Sequence, residues 1–208
     1  MNNIKKLILE GEGATLDFKN RITSQEKIAK TLVAFANNRG GKLLVGVADN
    51  GSIKGVKNED EEKYMLTQAG NFFCRPAIEP HFEEVYVDDK LVLVADIPES
   101  DAKPHYALGD DRKWWVYIRV QDKSVLASKV VVDVLRRESK TEGTFIEYSS
   151  KEKALLEYLQ EHERITARDY SKMLNLSRRR AQRILVNLVL AGVIRVHTTE
   201  KEEFYTAS

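Results

Sequence analysis

The sequence is poor in cysteine, in long apolar runs and in excess charge of either sign, and each shortage removes a class of protein. Cys74 is the only cysteine in 208 residues, so no internal disulfide or cysteine-based metal cluster can form. No apolar run reaches the roughly eighteen residues of a membrane span, and residues 1–10 lack the basic-then-apolar order of a signal peptide. We therefore expect a cytoplasmic protein with no membrane partner.

The formal net charge is only +1, although 31% of the residues are charged. A uniformly basic nucleic-acid coat and an acidic tail are thereby excluded. The charge is unevenly spread, since residues 1–148 hold 22 basic and 24 acidic side chains, whereas residues 149–208 hold 11 and 8. The basic excess therefore lies near the C-terminus.

The stretch 136–150 loses hydrophobic periodicity and carries charges, glycine, serine and threonine, which is typical of a connection between domains. We place a first domain at 1–140, a linker at 141–150 and a second domain at 151–208. No internal repeat or low-complexity tract is present.

The first domain mixes strands and helices, which gives an α+β fold class. Thr23 and Glu26 have the spacing of a capping box at the start of a first helix, and Asn58 precedes a second. A third helix is predicted over 129–138, at the end of this domain. The alternating or compact apolar runs that predict strands lie at 14–19, 42–48, 53–56, 83–87, 91–97 and 115–120.

The second domain has the order of a winged helix-turn-helix. A first helix is predicted over 151–162, and Thr166 and Ser177 each stand where they can cap a following helix. Gly192 ends the last helix, and two short strands over 193–206 form a hairpin, the wing.

The last helix carries its basic side chains on the outer N-terminal half, the part that enters the major groove in a helix-turn-helix. Arginine pairs bidentately with guanine or phosphate, and glutamine can contact adenine. The wing adds two residues that could touch phosphate. The predicted nucleic-acid-binding residues are Ser177, Arg178, Arg179, Arg180, Gln182, Arg183, His197 and Lys201.

Two alternatives stand beside DNA contact by this helix. The arginines could belong to a solvated helix face, although three adjacent cations at a helix start oppose the helix dipole and repel one another. The winged helix could instead dock a protein or form a dimer. For the two wing residues, an ordinary surface role is an equal alternative.

Six segments of the first domain, taken together and in order, resemble the Schlafen-type Alba-like domain. They cover most of residues 8–128, and bacterial forms of the domain often carry a C-terminal winged helix. The segments are EGATLDFK at 12–19, AFANNRGG at 34–41, LLVGVADNGSIKGV at 43–56, IPES at 97–100, KPHYA at 103–107 and YIRV at 117–120.

This resemblance implies association with nucleic acid, and it also implies a candidate catalytic site. Some animal Schlafens are ribonucleases that use three carboxylates, which correspond here to Glu12, Asp17 and Asp49. Such a set could hold Mg²⁺ or Mn²⁺ and activate water. Asp17 stands where the family pattern has glutamate, and its shorter side chain changes the metal geometry. The alternative is a charged strand end plus an aspartate of a turn.

We expect a DNA-binding transcriptional regulator that uses no cofactor and binds double-stranded DNA as a homodimer, because one winged helix covers only half an operator. The rivals are a metal-dependent ribonuclease, in which the winged helix positions an RNA substrate, and a non-catalytic interaction module. A nucleotide-binding loop is disfavoured, since no Lys-Ser/Thr pair follows Gly40 and Gly41.

Overall fold

The structure is a computed structural model that describes residues 3–138 and 149–208. The chain divides into two compact units, Met1–Leu126 and Ala127–Ser208. Most of the predicted linker falls on residues 139–148, which lie outside the described residues, so the linker stays a prediction. No helix within the described ranges is both long enough and apolar enough to cross a membrane.

The first unit contains three helices and nine strands in its described part. In chain order these are α1 (Asn3–Glu10), β1 (Leu16–Lys19), α2 (Gln25–Asn37), β2 (Gly41–Val45), α3 (Glu59–Phe72), β3 (Cys74–Arg75), β4 (His81–Val87), β5 (Lys90–Ile97), β6 (Tyr106–Leu108), β7 (Trp114–Trp115), β8 (Tyr117–Val120) and β9 (Lys123–Leu126).

A four-stranded sheet in the order β1-β2-β5-β4 forms the centre of this unit, with β1 and β2 parallel and the other pairs antiparallel. Side chains alternate across a strand, so each strand can supply both faces. Leu43 and Val45 of β2 join a buried cluster with Leu32 of α2. Leu44 joins a second cluster with Ile4 of α1 and Phe18 of β1. The sheet is therefore covered on both faces.

Helix α2 is buried along most of its length, and its two ends are fixed by specific residues. Ser24 caps its start by accepting the backbone N–H of Lys27, so the prediction of Thr23 as the cap was wrong by one residue. After the helix ends, Gly40 adopts φ +73°, and an added Cβ would lie 2.7 Å from the Ile97 carbonyl oxygen. Glycine is required there for both reasons.

The second unit contains four helices and a hairpin in its described part. They are α4 (Lys129–Glu138), α5 (Ser150–Glu161), α6 (Ala167–Met173), α7 (Arg178–Leu190), β10 (Ile194–Thr198) and β11 (Glu203–Ala207). The strands pair in antiparallel register, and Ile165 forms an additional bridge to Tyr205. Helices α5, α6 and α7 followed by this hairpin form a winged helix-turn-helix, which confirms the predicted fold class.

Helix α4 was predicted at its observed bounds, but we assigned it to the first domain, and the structure places it in the second unit. Val130 and Val134 pack in the same buried cluster as Leu185 and Val186 of α7. Its apolar stripe therefore contributes to the winged-helix core. Helix α4 precedes the charged stretch in the sequence, and this position did not show which of the two cores its apolar side chains would join.

Candidate nucleic-acid interface

The turn that precedes α7 is held by side-chain hydrogen bonds. The Ser171 hydroxyl donates to the Leu176 carbonyl at 2.7 Å, and Asn175 between them adopts φ +49°, which asparagine tolerates. Ser177 then caps α7, because its Oγ accepts the backbone N–H of Arg180 at 3.3 Å. The predicted role of Ser177 as a cap is confirmed, and this cap sets where the helix begins.

Helix α7 separates apolar and basic side chains onto opposite sides. Ala181 and Leu185 are buried in the core of the unit. The four arginines are exposed and Gln182 is partly exposed. None of these four guanidinium groups forms a salt bridge with any residue that the structure describes; they belong to Arg178, Arg179, Arg180 and Arg183.

Helix α4 occupies part of the remaining surface of α7. Val186 is only 1% exposed and shares its buried cluster with Val130 and Val134 of α4. The Arg137 guanidinium donates to Asn187 Oδ1 at 2.8 Å, which ties the ends of the two helices together. The surface of α7 left free for a ligand is therefore its N-terminal half, where the arginines lie.

The two predicted wing residues differ in how far they are engaged. The His197 ring stacks on Phe204 with 5.0 Å between centroids, and its Nε2 lies 3.0 Å from Thr206 Oγ1. Lys201 is exposed in the turn between β10 and β11, where its backbone N–H donates to Thr199 Oγ1. Lys201 is thus the freer of the two, while His197 also holds the hairpin together.

Three basic residues near α7 were not predicted from the sequence. Arg168 and Lys172 lie on α6, both exposed, and Lys129 is the first residue of α4. These side chains line one cleft together with Arg178 and Gln182. The spacing of Arg168 and Lys172, one turn apart on a helix, could have marked one basic face. Nothing in the sequence placed α4 beside them.

The first unit brings two of the three predicted carboxylates together. Glu12 Oε1 accepts the backbone N–H of Phe18 at 2.8 Å. Burial and then a side-chain hydrogen bond with Asp17 raise the pKa of Glu12 to about 7. Asp17 itself is 3% exposed, and its two oxygens face Lys19 Nζ at 2.9 Å and Arg119 Nη1 at 3.6 Å. The pair is therefore neutralised within the fold.

Asp49 does not join this pair. It is exposed in the turn that follows β2. Among the described residues, no three His, Cys, Asp or Glu side chains are grouped so that they could hold a metal ion. The three-carboxylate set that the resemblance implied is therefore not assembled, and Asp49 is an aspartate of a turn, as the alternative interpretation held. Asp17 already faces two cations that would compete with Mg²⁺ or Mn²⁺, so the donors present do not fit such a site.

The two asparagines of the AFANNRGG segment serve the fold. Asn37 is buried, and its amide bonds the backbone of His105 and the carbonyl of Tyr117. Asn38 bonds the backbone N–H and carbonyl of Arg119 in the same way. The end of α2 is thus fastened to β8, which carries the arginine that faces Asp17.

The two units together define a class of protein in which an Alba-like α+β unit is joined to a winged helix-turn-helix. Residues 12–128, more than half of the chain, match the Schlafen, AlbA_2 family. The chain belongs to this family. Residues 149–195 match the winged helix-turn-helix DNA-binding family, so the second unit is a domain of a nucleic-acid-binding class.

Two solved structures resemble parts of the chain. One is the N-terminal domain of an ATP-dependent DNA helicase RecG-related protein from Nitrosomonas europaea, with 25% identity, a TM-score of 0.42, and coverage of 53% of this chain and 83% of that one. The other is the DIP2311 protein from Corynebacterium diphtheriae, with 18% identity, a TM-score of 0.46, and coverage of 71% and 30% respectively. No curated protein shows significant similarity to the chain.

Proposed function

We propose that the protein is a DNA-binding transcriptional regulator whose second unit contacts double-stranded DNA through the N-terminal half of α7. The observation that carries this proposal is the row of exposed arginines without salt bridges to any described residue. Cations crowded at the positive end of a helix oppose its dipole and one another. A polyanionic ligand would offset that cost.

The arrangement of the side chains suits a major groove. The first residues of a recognition helix approach the base edges, and guanidinium groups there can pair with guanine or with phosphate. Gln182 lies between Arg179 and Arg183 on the helix and can form two hydrogen bonds with adenine. Lys201 at the tip of the wing extends the contact to the backbone. Sequence preference would thus come from α7.

We propose that the protein binds as a homodimer, because of the general geometry of winged-helix operators. One winged helix covers about half of an operator, and two-fold dimers bind half-sites one helical turn apart, roughly 34 Å. RNA is a weaker candidate than duplex DNA, since the deep, narrow major groove of A-form RNA does not admit side chains well.

The test of this function is the triple variant Arg179→Ala, Arg180→Ala, Arg183→Ala. We expect duplex affinity to fall at least tenfold, and the slope of log affinity against log salt to shrink, because each lost phosphate contact contributes about 0.9 to that slope. Fluorescence anisotropy with a labelled duplex of about two helical turns measures both quantities.

A matched control removes three cations of the first unit, as Lys5→Ala, Lys90→Ala, Lys113→Ala, and so changes the net charge equally. This control should bind DNA nearly as well as the unaltered chain. Equal affinities for the unaltered chain and for the arginine variant would refute the proposed function. Equal losses in both variants would show that overall charge, and not α7, governs binding.

A further inference from the structure

A cleft of about 700 Å³ lies in the second unit beside the recognition helix. Its walls come from the start of α4, one side of α6, the first turns of α7 and one residue of β11. Arg178 and Gln182 line the cleft and also belong to the proposed DNA-contacting surface. The cleft is therefore continuous with that surface.

Cations dominate the cleft. Arg168, Lys172 and Arg178 form no salt bridge within the part of the chain that the structure describes. Lys129 pairs with Asp133 at 3.1 Å, but its side chain is still 63% exposed. Of the residues that line the cleft, Glu203 alone is acidic. Its Oε1 accepts the Tyr205 hydroxyl at 2.6 Å, and its Oε2 is buried without a hydrogen-bond partner among the described residues, so one carboxylate faces four cationic side chains.

The start of α4 adds a further positive element to this wall. Ser128 Oγ accepts the backbone N–H of Val131 at 3.2 Å, so the helix begins at the cleft. The first N–H groups of a helix have no partner within it, and they carry the positive end of its dipole. An anion in the cleft would meet these groups as well as the four cationic side chains.

We infer that this cleft binds the phosphate backbone of the duplex, and that α4 is thus part of the DNA-binding surface although it precedes the winged-helix match at 149–195. This inference rests on the proposed function, since it adds contacts to the same complex. A DNA strand is favoured over a free phosphate compound because the cleft shares Arg178 and Gln182 with the recognition surface. Phosphate contacts position the protein and do not read sequence.

The sharpest variant is Lys129→Glu, made in the full chain. A carboxylate in the first turn is favourable for a helix, and this offsets the new repulsion from Asp133 one turn away. The fold should therefore remain intact, which circular dichroism and thermal melting verify. DNA affinity should nevertheless fall at least fivefold, because the substitution places a negative charge in the cleft.

Lys151→Glu is the matched control. Lys151 also lies in the first turn of a helix of this unit, α5, and it does not line the cleft. The charge change is identical, so the control should lose less than twofold in affinity. Equal losses for Lys129→Glu and Lys151→Glu would refute a role for the cleft.

A second variant, Arg168→Gln together with Lys172→Gln, keeps good helix formers and removes two cations from the α6 wall. We expect the salt slope to fall by about two, since each phosphate contact contributes about 0.9. The loss of affinity should be the same on two duplexes of unrelated sequence, because phosphate contacts are blind to base identity. A loss confined to one of the duplexes would contradict the inference.

Two further outcomes separate the possible failures. If the arginine variant of α7 loses DNA binding while both cleft variants retain it, the inference fails and the proposed function stands. Sodium phosphate, compared with sodium chloride at equal ionic strength, tests the other phosphate source. The DNA assignment would be overturned if phosphate stabilised the unaltered chain but not Lys129→Glu, and if neither cleft variant changed DNA binding. The cleft would then be a site for a free phosphate compound.

Discussion

The predicted sites of the two units differ in whether their charged side chains are paired. In the first unit, the buried carboxylate of Asp17 faces Lys19 and Arg119, and Glu12 beside it has a raised pKa. In the second unit, the arginines of α7 are exposed, and no described residue pairs with them. Charges that are matched inside a fold already have partners, whereas unmatched surface charges are available to a ligand.

The comparison also shows why overall composition said little about function. The net charge of +1 hides a local concentration of cations on α6 and α7. A family motif can mislead in the same way. Glu12 and Asp17 occupy positions that resemble a ribonuclease site, yet the structure gives them partners that serve the fold.

The contrast between the two units holds only if each unit has its own hydrophobic core. Truncation of a buried side chain in one core tests this most strongly. Val134→Ala should destabilise the second unit by about 1–3 kcal/mol, through lost contacts and a residual cavity. Val134 is 6% exposed and packs with α7, so the protection of backbone amides from hydrogen exchange should fall throughout 149–208.

Val94→Ala is the reciprocal variant, since Val94 is 2% exposed in the second cluster of the first unit. It should lower protection in the first unit and leave the second unit unchanged. If Val134→Ala instead weakened protection mainly within residues 3–126, α4 would belong to the first domain, as we predicted from the sequence.

A smaller effect is expected for Glu12→Gln, and it depends on pH. The folded-state pKa of Glu12 is raised from 4.5 to about 7, so folding favours the protonated form. The stability that this group contributes is present at low pH and is lost as pH rises from about 4.5 to about 7. Glutamine keeps the site neutral, and its amide can still bond Asp17 and Phe18.

The free energy of unfolding of the variant should therefore equal that of the unaltered chain near pH 5. Near pH 8 it should be higher by about 1 kcal/mol, after allowance for solvent screening. Urea unfolding at the two pH values measures the difference. Glu10→Gln, at an exposed carboxylate nearby, is the control and should show no such trend. A benefit of Glu12→Gln that is equal at both pH values would contradict the assigned burial and hydrogen bonding.

Local signals predicted much of this fold correctly. Thr166 and Ser177 were identified as caps from residue type and spacing, and both accept a backbone N–H at the start of the helix that follows. The second helix of the first unit was expected after Asn58, and it begins at Glu59. The compact apolar run at 42–48 gave β2, because a strand buried on both faces is apolar throughout. The wing followed from two short strands around a polar turn.

Features that depend on distant contacts were not predictable in this way. Strands β3 and β7 contain two residues each, too few for a pattern, and α1 was not recognised within 1–10. The run at 53–56 forms only a bridge from Ile53 to Val47. The cleft beside α7 depends on where α4 packs, and the sequence of α4 alone does not predict this. Asp49 was grouped with Glu12 and Asp17 by motif, but the turn holds it apart.

The most direct test of the account is hydrogen exchange of the full chain with and without a DNA duplex. DNA contact by the second unit predicts added protection in peptides that cover 167–183 and the start of α4 near 129, with little change over 12–19 and 117–120. Protection that appears around Glu12, Asp17 and Arg119, and not on α6 and α7, would contradict the central claim and assign nucleic-acid contact to the first unit.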